Sequence, residues 1–160
     1  MRQRQAVTDR RRAQEFEAFV AGAAGRLLHA AALLTGEQRE ATPRAQRLLT
    51  AALARTYADW DRLRAGDPYD STRQELALRF ARGAWLSRRG PSPDGVLAGL
   101  APQERVVLVL RLYEGVAEEQ IAALIGVPVE RVRAVYARAV ATVRDNTAAD
   151  RSGASEEHRP

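Results

Sequence analysis

The 160-residue chain contains no cysteine and no lysine. Without cysteine, disulfides, Cys-based zinc sites and thiol nucleophiles are excluded. Without lysine, all 25 cationic side chains are arginine. Arginine's planar fork binds two acceptors of a phosphate or a guanine at once, although the same bias also follows from GC-rich coding. Histidine is limited to His29, inside an apolar helix, and His158, close to the last residue. Neither has a catalytic or metal-binding neighbour in sequence. There is no phosphate loop, no HExxH and no dinucleotide fingerprint, and Asp59 and Asp61, on either side of Trp60, read as solvated. No enzyme, metal or other cofactor is expected. The longest apolar run, FVAGAAGRLLHAAALLTG from Phe19, is interrupted by Arg26 and His29. It reads as a buried helix and not as a membrane span, so no membrane partner is expected. No signal-peptide apolar region follows the charged N-terminus, and a cytoplasmic location is expected.

What is present is an apolar fraction of 46%, enough for a globular core, and a net charge of +5 with a sequence pI of about 10.6. No strand-like alternation occurs. Residues 1–13, with five arginines against one aspartate, are expected to be a disordered basic arm. Apolar residues at helical spacing predict a helix from Gln14 to Thr35, stopped by Gly36. A second helix starts at Thr42-Pro43, with Thr as N-cap and Pro in the first turn, and runs through Trp60 to Leu63. Gly66-Asp67-Pro68 breaks it, and a third helix follows over Ser71–Ser87. Residues 88–99 are rich in Pro and Gly and form a linker. Several short helices follow over 100–145, and 146–160 reads as a disordered tail. The expected fold class is all-α: two small helical domains, 14–87 and 100–145, joined by that short linker.

The second domain carries the informative pattern, IAALIGVPVERVRAVYARAV from Ile121 to Val140. A helix-turn-helix needs a small residue where its helices cross, a glycine at the turn, and apolar residues that lock the second helix to the first. Gly126, Val127 and Pro128 form the turn, Ala122 takes the crossing position, and Ile121, Ile125, Val132 and Val135 point inward. The second helix, Val129–Val143, has an apolar stripe through Val132, Val135, Tyr136, Ala139, Val140 and Val143. Its opposite side presents Glu130, Arg131, Arg133, Ala134, Ala137 and Arg138. With four arginines and one glutamate between 129 and 144, this helix is basic enough to enter the major groove, with Arg131, Arg133 and Arg138 leading. Glu118 and Glu119 sit at the positive end of the preceding helix. Side-chain caps are missing, because Ala117 and Pro128 occupy the cap positions.

The stretch Leu100–Arg144 resembles region 4 of bacterial sigma factors, most closely the extracytoplasmic-function (ECF) group. FVAGAAGRLLHAAALLTGEQ and LARTYADWDRLR, followed by DP, are similar to ECF region 2. The resemblance implies a transcription regulator that directs initiation, with promoter duplex DNA, the RNA polymerase core, and an anti-sigma factor or other regulatory protein as partners. It also places the polymerase-docking positions, an aspartate and a Gln-Glu pair in the family, at Arg47, Thr50 and Ala51. Replacing an acid by a base at a polar contact removes attraction and adds repulsion, so docking here is expected in altered form. Only Phe80 and Trp85 are available to stack on opened bases. The 13 residues Ser87–Gly99 span at most about 45 Å, against roughly 60 Å between two elements 17 base pairs apart. The alternative reading is a degenerate sigma-like module that no longer initiates and acts through protein contacts or by binding DNA alone.

Overall fold

The computed structural model describes residues 2–38, 41–86 and 95–156. Among these there are no strands and seven α-helices: α1 (Arg2–Thr35), α2 (Pro43–Ala58), α3 (Trp60–Leu63), α4 (Pro68–Leu86), α5 (Pro102–Leu108), α6 (Glu118–Ile125) and α7 (Val129–Glu156). Most of the expected linker, 88–94, lies outside the described residues, as does the side chain of Trp85.

Three expectations are corrected. The segment expected as a disordered arm is the first part of α1, which is helical from Arg2. Arg, Gln and Ala are good helix formers, and once the packed part of a helix exists, each added residue needs no new nucleus. Arg11 and Glu15 pair at 2.8 Å one turn apart, and Arg12 reaches across to the Tyr57 carbonyl at 2.6 Å and lies over the Tyr57 ring. The expected disordered tail is likewise helical: α7 runs to Glu156. Asn146 fastens it by donating to the carbonyls of Val96 (3.1 Å) and Ala98 (2.9 Å). Third, the helix expected from Pro43 to Leu63 divides at Asp59, whose backbone leaves helical geometry. Its carboxylate is not simply solvated, since Arg55 (3.0 Å) and Arg62 (3.5 Å) both reach it. The break turns Trp60 inward against Phe16 and Phe19, at ring distances of 5.2 and 5.4 Å.

The helix starts explain themselves locally. Thr42 precedes α2 but its hydroxyl makes no cap. The carboxylate of Glu37, from the α1–α2 connection, takes that role and accepts from the backbone N–H of Arg44 (2.9 Å) and Ala45 (2.7 Å). Ahead of α4, Asp67 Oδ1 accepts from the Asp70 N–H at 2.9 Å, with Pro68 in the first turn. The α2–α4 contact buries a hydroxyl pair, Thr56 and Thr72, at 2.8 Å. Each hydroxyl also lies within bonding distance of a carbonyl of its own helix, so one donates to its carbonyl while the other donates across the pair or to its own, and neither proton is left unsatisfied.

The two halves do not stand apart. Leu27, Leu34 and Leu76 from the first and Val106, Val107, Ile121 and Val132 from the second belong to one hydrophobic cluster. By length and composition α1 could cross a membrane, yet its stripe Ala23, Leu27, Ala30, Ala31 and Leu34 is buried in this core. A smaller cluster of Leu100, Leu108 and Ala139 joins the segment before α5 to α7. After α5 the chain continues as a π-helical turn, Val109–Tyr113. Gly115, at φ +70°, then reverses it.

Candidate nucleic-acid interface

The interface is built by α6, its turn and α7. Gly126 takes left-handed geometry (φ 70°, ψ 39°), which costs a residue with a Cβ about 1–2 kcal/mol. The N–H groups of Gly126 and Val127 both donate to the Ala122 carbonyl, at 2.9 and 3.1 Å, and so satisfy the end of α6. Pro128 starts α7 through its backbone, its carbonyl accepting from Arg131 and Val132. Ala117 offers no acceptor, but Gln120 supplies the return half of a capping box by accepting from the Ala117 N–H, at 3.4 Å. Ile121, Ala122, Val132, Val135 and Ala139 are buried, while Ile125 and Val127 are half-buried. Burying the Val132, Val135 and Ala139 stripe fixes the rotation of α7. The other side of the helix must therefore face out.

Glu130, Arg131, Arg133, Ala134, Ala137 and Arg138 are all exposed. The structure brings these six positions together on one continuous helix face. It also shows that the arginines are not equivalent. Arg133 donates from Nε to Glu118 at 2.9 Å and approaches Glu119 at 3.7 Å. The bond and the charge of Glu118 hold its guanidinium even more firmly protonated than usual. Arg138 lies 3.5 Å from Glu104. Arg131 has no charged partner among the described residues. The carboxylates that hold Arg133 and Arg138 are partners that sequence reasoning missed. Glu118 and Glu119 were visible at the start of α6, but their partner is fifteen residues away and across the turn.

The positions assigned to polymerase docking lie on a different surface. Arg47 and Thr50 are exposed on α2, and Ala51 is half-buried. Helix α2 packs on α1, α3 and α4, so these residues present an outward face of the first half.

Between the two surfaces lies a polar seam. Glu114, at the end of the π turn, has a side chain 0% exposed. Tyr69 Oη is 3.0 Å from both of its carboxylate oxygens. Arg26 Nε and an Arg73 terminal nitrogen each lie 3.5 Å away. Arg26 also donates to the Tyr113 carbonyl at 3.2 Å, and His29 stacks on the Tyr113 ring at 5.0 Å. Burial, then the bond and charge of Glu114, push the Tyr69 hydroxyl well above its ordinary value and keep it a donor. Further along, Arg105 donates to the Leu34 carbonyl at 2.6 Å, closing the end of α1, and lies 5.2 Å over the Phe80 ring.

A buried helix-turn-helix frame with an arginine-lined outer face defines a DNA-reading domain. Residues 96–145 match the family described as sigma-70, region 4. The chain is also similar, at 28% identity over 84% of its length, to the RNA polymerase sigma-E factor of Streptomyces coelicolor, of which 87% is covered. It is 28% identical over 82% of its length to the RNA polymerase sigma-E factor of Streptomyces avermitilis, of which 84% is covered. No solved structure matches. Residues 96–145 thus carry the sigma region 4 pattern, and the likeness to the two sigma-E factors extends through the first half of the chain.

Proposed function

We propose that this protein is a sigma-like regulator of transcription initiation that reads promoter duplex DNA through α7, with Arg131 as the leading base contact. The observation that carries this is the exposed face of α7, fixed outward by burial of Val132, Val135 and Ala139 and carrying Arg131 unpaired beside two oriented arginines. Arg133 and Arg138 are each met by a carboxylate at Nε, and more than half of each side chain stays exposed. That suits a phosphate contact or a second base contact. The RNA polymerase core and an anti-sigma factor are the protein partners of such a regulator. It acts in the bacterial cytoplasm, by binding and not by catalysis.

The test has two parts. The protein and the polymerase core should co-elute on gel filtration. Separate elution at micromolar concentration overturns the initiation reading. In anisotropy titrations, duplex affinity should fall steeply between 50 and 200 mM salt, as counterion release requires when several phosphates are neutralised. A flat salt response overturns α7 as the reading element.

One observation favours a second reading, a sigma-like module that has lost initiation. Exposed Arg47 and Thr50 stand where the resemblance places acidic and amide contacts to polymerase. If charge reversal has abolished docking, Arg47→Asp should increase retention of the protein on the core, and the parent protein should show none.

A further inference from the structure

We propose that the first turns of α1 form a second DNA contact, a helical arm whose outer face holds the phosphate backbone of a duplex without reading its sequence. The proposal rests on the DNA-binding part of the proposed function and is independent of initiation.

The arm begins where packing ends. From Phe16 onward α1 packs on Trp60 and then into the core through Ala23 and Leu27. Every residue from Gln3 to Arg11 is exposed, Val7 to 65%. Two ties at the root set the direction of the arm. Arg12 donates to the Tyr57 carbonyl at 2.6 Å and lies 3.7 Å from Asp61, and Glu15 accepts from Arg64 at 2.8 Å. A helix that buries nothing gains nothing from tertiary packing, so this one serves only to hold side chains in a fixed array.

The array is one-sided. At about 100° per residue, Gln3, Arg4, Val7, Arg10, Arg11 and Gln14 share the side of α1 turned away from Phe16 and Leu27. These are three arginines, two glutamines and one valine, with no carboxylate among them. Asp9, the one acid before Glu15, falls on the inner side. Arg4 and Arg10 have no charged partner among the described residues. Arg11 meets Glu15 at 2.8 Å, yet its side chain is 76% exposed. Arg4 and Arg11 stand two turns apart, about 10 Å along the axis, which matches three steps of about 3.4 Å along one strand. A protein partner is the less fitting occupant. The centre of a protein interface is apolar and depleted of charge, whereas a DNA interface is polar and strongly positive. Here Val7 is the only apolar side chain among cations. Phosphate contacts fix position and carry no sequence information, so the arm adds affinity on every duplex while α7 supplies discrimination.

The test uses the full chain. Arg4→Gln with Arg10→Gln removes two charges that pack on nothing, and Gln is a good helix former, so circular dichroism should not change. In anisotropy titrations between about 50 and 200 mM salt, the slope of log Kobs against log salt should become shallower by about 1.8, that is, about 0.9 for each lost phosphate contact. The loss should be equal on a random-sequence duplex and on a duplex enriched from a random pool by the parent protein. Arg4→Lys with Arg10→Lys keeps the charge and should restore most of the slope. An unchanged slope in the Gln variant overturns the arm, and reduced retention on the polymerase core at unchanged slope would make this face a protein contact instead. A loss confined to the enriched duplex also overturns it, since the arm would then be reading bases. The two readings fail separately: a parent protein that binds both duplexes equally loses α7 as the reader, while the slope difference on random duplex still scores the arm.

Discussion

The seam and the reading face use the same pair of residue types to opposite ends. At the seam, Glu114 is 0% exposed and Arg73 16%. On the reading face, Glu118 is 23% exposed and Arg133 55%. The same attraction is strong where water is excluded and weak where it is not. The first pair therefore ties two halves of the molecule together, beside the apolar cluster they share. The second only decides where an arginine points, and leaves it available to another anion. Glu37 lies between them at 11% exposed. It serves two backbone N–H groups and a hydroxyl as well as one guanidinium.

This ordering can be broken at four places. Glu114→Ala should have the largest effect, a loss of about 2–3 kcal/mol in urea unfolding, because the Tyr69 hydroxyl loses its acceptor and Arg73 keeps only Asp70. A change below 1 kcal/mol would place the seam with the surface pairs. Arg131→Ala should come next, weakening specific duplex binding by about 1–3 kcal/mol while leaving the melting temperature unchanged; equal loss on all sequences would make it a phosphate contact. Glu37→Gln should lower stability by about 1 kcal/mol near neutral pH, the usual worth of a helix cap. The pH dependence has a definite sign. Burial raises the Glu37 pKa, but the N–H groups of Arg44 and Ala45, the Thr35 hydroxyl and the Arg44 charge outweigh it and leave it below its ordinary 4.5. Its contribution is thus present above that value and lost as pH falls through the lowered one. Thermal melts of parent and variant should converge at low pH. Glu118→Gln should have the smallest effect on stability, under about 0.5 kcal/mol, yet should raise affinity for non-specific duplex by freeing the charge of Arg133. Titrations on random-sequence DNA check this.

The helix-turn-helix was legible in the sequence because its constraints are short-range. One glycine with positive φ, one small crossing residue and a 3.6-residue stripe fall within twenty residues, and each can be checked locally. The outward face of α7 followed from the stripe alone. The helical ends of α1 and α7 were not legible from apolar periodicity, because they bury little. Propensity, a few capping bonds and the reach of Arg12 and Asn146 to distant carbonyls carry them. Thr42 looked like a cap and is not one, since Glu37 reaches the same N–H groups with a full charge. The seam was invisible for a different reason. Glu114 reads as a polar residue before a glycine turn, and nothing in YEG says that Tyr69 lies forty-five positions upstream and in contact. Only the apolar run VVLVL just before it hinted that the turn would be carried into the interior. The six reading positions were identified as a face, but the division into one free and two tethered arginines needed the fold.

Asn146 ties the far part of α7 to Val96 and Ala98, residues just after the connection between the halves. Mechanically, α7 is a rod of 28 residues, about 42 Å long at 1.5 Å per residue. It is packed on α5 and α6 near its start and moored to the connecting chain at its middle. The helix is thus fixed at two points along its length, and the outward rotation of its arginine face is set by both.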